Sequence, residues 1–458
     1  MTDSSVILTL LGFGMVATFM ALIMMRRLSP LVALTLVPIV FALLAGFGGQ
    51  ELGKMMLEGI IKLAPTGVML MFAILYFGLM IDAGLFDPVV RQILKLVGND
   101  PLKIVLGSAI LAAFVSLDGD GSTTYMICIA SMLPLYKRLG MNPLKLTCVT
   151  ILASGVMNLT PWGGPLARAA SALHIDPAEV FVPMIPAMTI GVLGVFAIAL
   201  WLGRAERRRL GYVRLAPAPL GFDAQFLTGD SAETVAAGGG LAAGAVQTSN
   251  LRRPRLLWVN ALLTTVLMVC LILGVMPLPV LFMAAFSIAL LINYPKLEEQ
   301  RQRISEHARN VIAVVSLIFA AGVFTGILSG TGMVTAMSQS LIAVIPAQAG
   351  PYLAPITALV SMPFTFFMSN DAFYFGVLPV VSEAAGAYGV TPVEMARASL
   401  IGQPVHLLSP LVPSTYLLVG LAGVEFGEHQ KFTMLWAVLI CLLLMTAALM
   451  LGLFPFAA

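Results

Sequence analysis

The sequence predicts an all-α polytopic membrane protein made of two inverted-topology repeats, each with about five crossings, one re-entrant hairpin and one broken helix. Three observations carry this. First, the 458 residues are 59% hydrophobic and 10% charged, with mean hydropathy +0.98, and apolar runs of about 20 residues recur, the length that spans a bilayer. Second, Pro30 and Pro279, Gly84 and Gly332, Gly140 and Gly389, Pro143 and Pro392, Pro161 and Pro410, and Asp176 and Glu425 pair at an offset of 248 or 249. That divides the chain into a first repeat over 1–203, a linker over 204–255 and a second repeat over 256–458. Third, each copy carries two polar interruptions, SLDGDGSTT at 116–124 and NLTPWGGP at 158–165, then MSNDAF at 368–373 and LLSPLVPS at 407–414. Paired breaks of this kind point to a transporter's binding site.

In order along the first copy, spans are expected near 6–25, 30–47, 64–83 and 180–203. The run at 6–25 is too long for the core of a cleavable signal and recurs at 256–276, so the first span is expected to be retained. FDPVVRQILKLVGND at 86–100 sets Arg91 and Lys95 against Val90, Ile93, Leu94 and Val97, the pattern of an interfacial helix. Segment 101–117, the DGDGSTT tip and a second arm at 125–135 read as a re-entrant hairpin, because that arm would be only about 16 Å long. Residues 143–159 and 166–174 read as one crossing broken at TPWGG. Five crossings per copy is odd, so the second copy sits upside down relative to the first.

Apart from Lys54, Lys62, Arg168 and Arg397, the 25 Lys and Arg fall in loops on one side or at their borders. The positive-inside rule therefore puts both termini outside and the linker in the cytoplasm of a bacterial plasma membrane. The Ala/Gly/Pro-rich linker reads as flexible. Cys128, Cys148, Cys270 and Cys441 lie singly in apolar segments, without the spacing of a disulfide framework or metal cluster. No permanently bound cofactor and no nucleic-acid partner are expected, and the enzyme class is not.

A helix that ends inside the membrane exposes backbone groups that survive only beside protein or water. Helix N-termini there favour anions and free carbonyls favour cations. Asp118 and Asp120, one glycine apart, repel each other, so at least one is expected to be protonated, paired with a base or bound to a metal ion, unless the second arm starts near water and the acids merely cap it. Ser122 and Thr123 cap the second arm and offer hydroxyls, while Asn370 and Asp371 take the equivalent place in the second copy. Arg168, just past WGGP, could hold a carboxylate through its planar fork, or snorkel outward. Asn158 and Trp162 are break-lining candidates. His406 suits proton coupling or a structural hydrogen bond, Arg397 could snorkel, and Asp82 reads as structural.

The run DGDGSTTYMICIASMLPLYKRLGMNPLKLTCVTILASGVMNLTPWGGPLARAASAL at 118–173 resembles the metal-citrate:proton symporters within the wider ion transporter superfamily. The resemblance extends over essentially the whole chain. It implies proton-coupled uptake of citrate or a related tricarboxylate complexed with a divalent cation of the Mg2+ or Ca2+ class, a homodimer and an elevator-like motion. By motif it assigns Asp118, Gly119, Asp120, Gly121, Ser122, Thr123, Asn158, Thr160, Gly163, Gly164 and Arg168 to the hairpin tip and break, with Asn370, Asp371, Ser409 and Pro410 opposite. A cation/proton antiporter or a sodium-coupled carrier of free di- or tricarboxylate on the same fold remains the alternative.

Overall fold

Helix order and the role of proline set the architecture. The computed structural model describes residues 3–25, 27–119, 121–210, 251–346 and 348–458; Asp120 and most of the linker lie outside the described residues. Among the described residues there is no strand, and seven segments are long and apolar enough to cross a membrane. The first half runs α1 (Asp3–Met24), α2 (Pro30–Leu44), α3 (Gly49–Asp82), α4 (Asp87–Val97), α5 (Pro101–Val115), α6 (Gly121–Arg138), α7 (Pro143–Met157), α8 (Gly164–Leu173) and α9 (Pro177–Leu210). The second runs α10 (Leu257–Ile272), α11 (Leu278–Asn293), α12 (Leu297–Gly330), α13 (Met333–Val344), α14 (Leu353–Phe367), α15 (Leu378–Gly386), α16 (Pro392–Ser399), α17 (Gln403–His406), α18 (Pro413–Ala422) and α19 (Phe426–Met450).

Several starts share one device, a polar cap followed by proline. Ser29, Asp100 and Asn142 accept from the amides of Val32, Leu102 and Leu144, and Thr391 forms a capping box with Glu394. Each cap satisfies an end donor, and the next residue is a proline that has none to lose.

Two elements outrun the hydropathy pattern. Helix α3 begins at Gly49 rather than near 64, because its first part is amphipathic: Leu52, Gly59 and Leu63 are buried while Lys54 and Glu58 form an exposed pair. The second hairpin arm, α6, has 18 residues, continues through Pro134 and reaches Arg138, about 27 Å of helix. It is longer than the 11-residue apolar stretch expected, since a helix does not end where its hydropathy does. The amphipathic helix α4 forms as expected, with Val90, Ile93 and Val97 buried.

Helices α3 and α12 cross at backbone contact. A Cβ on Gly59 would stand 2.0 Å from the Gly322 carbonyl oxygen and 2.8 Å from Gly326 Cα, so only small residues fit. Further along the crossing, His307 lies on Gly78, and Asp82 accepts from Arg303 Nη1 (3.1 Å) beside His307 Nε2 (2.9 Å). Asp82 is thus a structural anchor.

Both described ends of the linker are docked. Helix α9 continues to Leu210, with Glu206 buried against Lys145 and the Asn142 amide (3.0 Å). After the linker, the Arg253 amide donates to Ala83, its guanidinium donates to the Asn293 carbonyl (2.8 Å) and covers Tyr294, and Arg252 pairs with Asp87 (2.9 Å).

Candidate functional site

The polar breaks form two crevices, each made from a hairpin and the broken crossing beside it. In the first, α5 ends in a 3-10 turn at Ser116–Asp118 and Gly119 reverses the chain at φ +78°. A Cβ at Gly119 would lie 2.7 Å from Trp162 Cδ1, so both the left-handed backbone and the close approach require glycine. Trp162 donates from Nε1 to the Leu117 carbonyl (2.9 Å) and packs against Phe77 and Phe282. The tip is thereby tied to the first break and to α3 and α11. Asp118 is buried at this tip.

Behind the tip lies a cavity of about 100 Å3 lined by Ser116, Gly119, Gly121, Tyr125, Ser154, Asn158, Leu407 and Ser414. The hydroxyls of Ser116 and Ser154 are 2.8 Å apart. Thr160, in the same break, holds a buried hydroxyl without a partner among the described residues. Helix α8 then starts on Gly163, which provides no side-chain cap. Gly163 is compact for a reason: a Cβ there would stand 2.2 Å from the Asn158 carbonyl oxygen. Ser122 and Thr123 lie partly buried in the first turn of α6, and Gly164 lies against the Arg168 guanidinium.

The second crevice is built differently. Its hairpin turns at 368–371 and continues through a π-helical turn, Ala372–Val377. Gln403, wholly buried, exchanges hydrogen bonds with Asn370 (3.3 and 3.5 Å) and donates to Tyr374 Oη (2.8 Å). His406 Nδ1 lies 2.6 Å from the Thr365 carbonyl and donates to it, and Ser409 Oγ donates to Phe366 (2.6 Å). The hydroxyl of Thr415 and the amide of Gln430 take the carbonyls of Leu407 and Leu408. Pro410 is exposed at the turn.

Across the halves, Arg168 Nε donates to Asp371 Oδ1 at 2.6 Å, both side chains being largely buried. On the other side a Cβ on Gly121 would lie 3.6 Å from Ser414 Oγ. Each hairpin thus packs on the post-break helix of the opposite half, α6 on α18 and the π turn with α15 on α8. Arg397, by contrast, donates to the carbonyls of Leu453 (3.1 Å) and Glu179 (2.6 Å), away from the crevices.

A family model described as "Citrate transporter" matches residues 6–402 of this chain. The chain belongs to the citrate transporter family. It is therefore an integral membrane transporter and not an enzyme. A citrate transporter of Bacillus subtilis (strain 168) is 58% identical over 98% of this chain and 100% of its own length. An Mg(2+)/citrate complex secondary transporter of the same organism is 55% identical over 97% of this chain and 98% of its own. Two solved transporters share the fold at low identity. The YdaH transporter of Alcanivorax borkumensis has TM-score 0.51 and 14% identity over 88% of this chain and 89% of its own. MtrF of Neisseria gonorrhoeae has TM-score 0.52 and 13% identity over 87% and 83%.

Sequence reasoning named Asn158, Arg168, Asn370 and Asp371 but missed Ser116, Ser154, Gln403, Tyr374 and Ser414. The offset between the paired motifs held the signal: Gln403 stands 249 residues after Ser154. His406 and Ser409 face the second hairpin's backbone rather than the cavity.

Proposed function

We propose that this transporter takes up citrate, or a related tricarboxylate, complexed with a divalent cation and driven by protons. The Arg168–Asp371 pair carries the reading. It joins a guanidinium at the first break to a carboxylate at the opposite hairpin tip, 2.6 Å apart, while a cavity lined with hydroxyls and an amide lies at the first tip. A citrate trianion holding a divalent cation has one net negative charge, free carboxylates and a hard cation that prefers oxygen ligands. Such a ligand offers something to both partners. A carboxylate of the complex replaces Asp371 on Arg168, and Asp371, with Asp118 and Asp120, is released to meet the cation or carry the proton.

Ser122, Thr123, Asn158, Thr160, Asn370 and the backbone of Gly163 and Gly164 hold the remaining oxygens in this scheme, with Ser409 and Pro410 shaping the opposite break. The cavity is smaller than the roughly 300 Å3 of common ligand pockets, so loading requires the hairpins to part. Protons are favoured over sodium at the second crevice because four of its carbonyls, those of Thr365, Phe366, Leu407 and Leu408, already accept from side chains.

The two halves act as inverted repeats, with termini outside and the 204–255 linker cytoplasmic. Helices α5–α9 and α14–α19 carry the site past a scaffold of α1–α3 and α10–α12 in an elevator-like homodimer. The relatives' transport of citrate and of an Mg2+/citrate complex supports the substrate class. Uptake of labelled citrate into proteoliposomes under an inward proton gradient, with EDTA or with Mg2+ and Ca2+ titrated separately, tests the reading. Accumulation that needs both metal and gradient is expected. Accumulation unchanged by EDTA would make the substrate the free acid.

A further inference from the structure

The joint between α7 and α19 contains a histidine that none of the foregoing roles uses. His429, in the first turn of α19, is wholly buried. Its Nδ1 lies 2.9 Å from Thr147 Oγ1 and 3.3 Å from Thr433 Oγ1. With the Thr147 hydroxyl directed at the Leu144 carbonyl (3.1 Å), its oxygen accepts from the tautomer in which Nδ1 carries the hydrogen. In that tautomer the lone pair sits on Nε2, which is buried and has no partner among the described residues.

Leaving a buried acceptor unpaired costs about 1–3 kcal/mol, a cost that an apolar side chain at this position would avoid. No carboxylate lies within salt-bridge distance of the ring among the described residues. Of the titratable groups on the packed elements, Cys148 of α7 is hydrogen-bonded to Thr433, Lys145 of α7 holds Glu206 of α9, and His406 of α17 is engaged with Thr365. On α19 itself Glu425, Glu428 and Lys431 face outward.

We infer that His429 Nε2 is a proton-binding site that fills only when α7 and α19 move apart. The lone pair takes one proton and the ring becomes an imidazolium that donates from both nitrogens. In the closed joint that charge has no carboxylate partner among the described residues, and it faces the positive end of the α19 dipole. In an opened joint Nε2 reaches water, so the proton binds the open form better and shifts the equilibrium towards it. The motion reaches the site, because the neighbouring Gln430 holds the Leu408 carbonyl of the second break (2.9 Å). The opposite joint has no such switch: there Arg397, a permanent cation, grips the Glu179 carbonyl.

This inference rests on the proton-coupled reading, and its test separates the two. Full-length protein with 15N-labelled histidine in lipid nanodiscs is titrated between about pH 5 and 8, with and without Mg2+ and citrate. The chain has four histidines, and His429→Asn, which keeps a donor for Thr147, assigns the signal. Nε2 is expected to protonate within the range. In proteoliposomes the same variant is expected to keep citrate exchange within about twofold while losing at least about tenfold in gradient-driven accumulation. An Nε2 that stays unprotonated throughout, a variant that accumulates citrate as the unaltered protein does, or equal loss of exchange and accumulation would each overturn the inference. If Nε2 titrates but the unaltered protein accumulates no citrate, the uptake reading fails and the proton site stands.

Discussion

The two crevices occupy equivalent places in the two halves and are filled in opposite ways. The first is hollow: Ser116, Ser154, Asn158 and Ser414 surround a cavity of about 100 Å3. The second is packed: Gln403, in the position of Ser154, bridges Asn370 and Tyr374, and His406 and Ser409 take the hairpin carbonyls. Side-chain size divides the labour between them. Small hydroxyl residues leave room for a ligand's oxygens, whereas amide and imidazole groups satisfy the backbone from within. The Arg168–Asp371 pair is where the two regions meet.

The largest effect is expected at that meeting point. Arg168→Met strands a buried carboxylate and is expected to cost about 3–5 kcal/mol in stability and to abolish citrate uptake, with Asp371→Asn close behind. The double variant Arg168→Met/Asp371→Leu should recover most of the melting temperature without recovering uptake. A double variant that transported citrate would remove the pair from the site.

Next comes the equivalence of Ser154 and Gln403. Ser154→Leu fills the hollow crevice, so Mg2+/citrate binding by calorimetry is expected to be lost for an overpacking cost of about 1–3 kcal/mol. Gln403→Leu leaves Asn370 and Tyr374 short of partners, and is expected to lose about 1–3 kcal/mol while uptake falls only a few-fold. Equal transport defects in the two variants would erase the distinction between the crevices.

A smaller effect is expected from Gly119→Ala. The left-handed backbone alone costs about 1–2 kcal/mol, and the added methyl pushes on Trp162, so both melting temperature and uptake should fall. The smallest lies outside both crevices, where Asp100 accepts from Arg207 Nε (2.9 Å) and caps α5. Burial works against the Asp100 carboxylate, but the Arg207 guanidinium and the Leu102 amide outweigh it and hold its pKa below the usual range. A depressed carboxylate stabilises the fold above its unfolded value and loses that contribution as pH falls through its folded value. Asp100→Asn should therefore be less stable than the unaltered protein at neutral pH and converge with it below about pH 4, with uptake near normal at neutral pH.

Much of the fold was legible because its signals are local. Prolines behind polar caps marked the starts of α2, α5, α7 and α16, and the DGDGSTT and TPWGG runs marked the first turn and break. The start of α3 was not legible from hydropathy, since its first turns are held by packing against α12 at Gly59. The length of α6 was hidden for a related reason: Pro134 and Lys137 look like an ending, yet the helix carries both.

The site divides along the same line. Sequence alone determined that the chain is a membrane protein, where its polar interruptions lie and that Arg168 and Asp371 sit at two of them, because composition, periodicity and turn chemistry are properties of neighbours. Only the tertiary structure decided that these two, 203 residues apart, pair with each other, that Gln403 closes one crevice while Ser154 leaves its counterpart open, and that His429 is buried with a bare nitrogen. Charge and polarity state what a residue needs; packing in three dimensions decides which group supplies it.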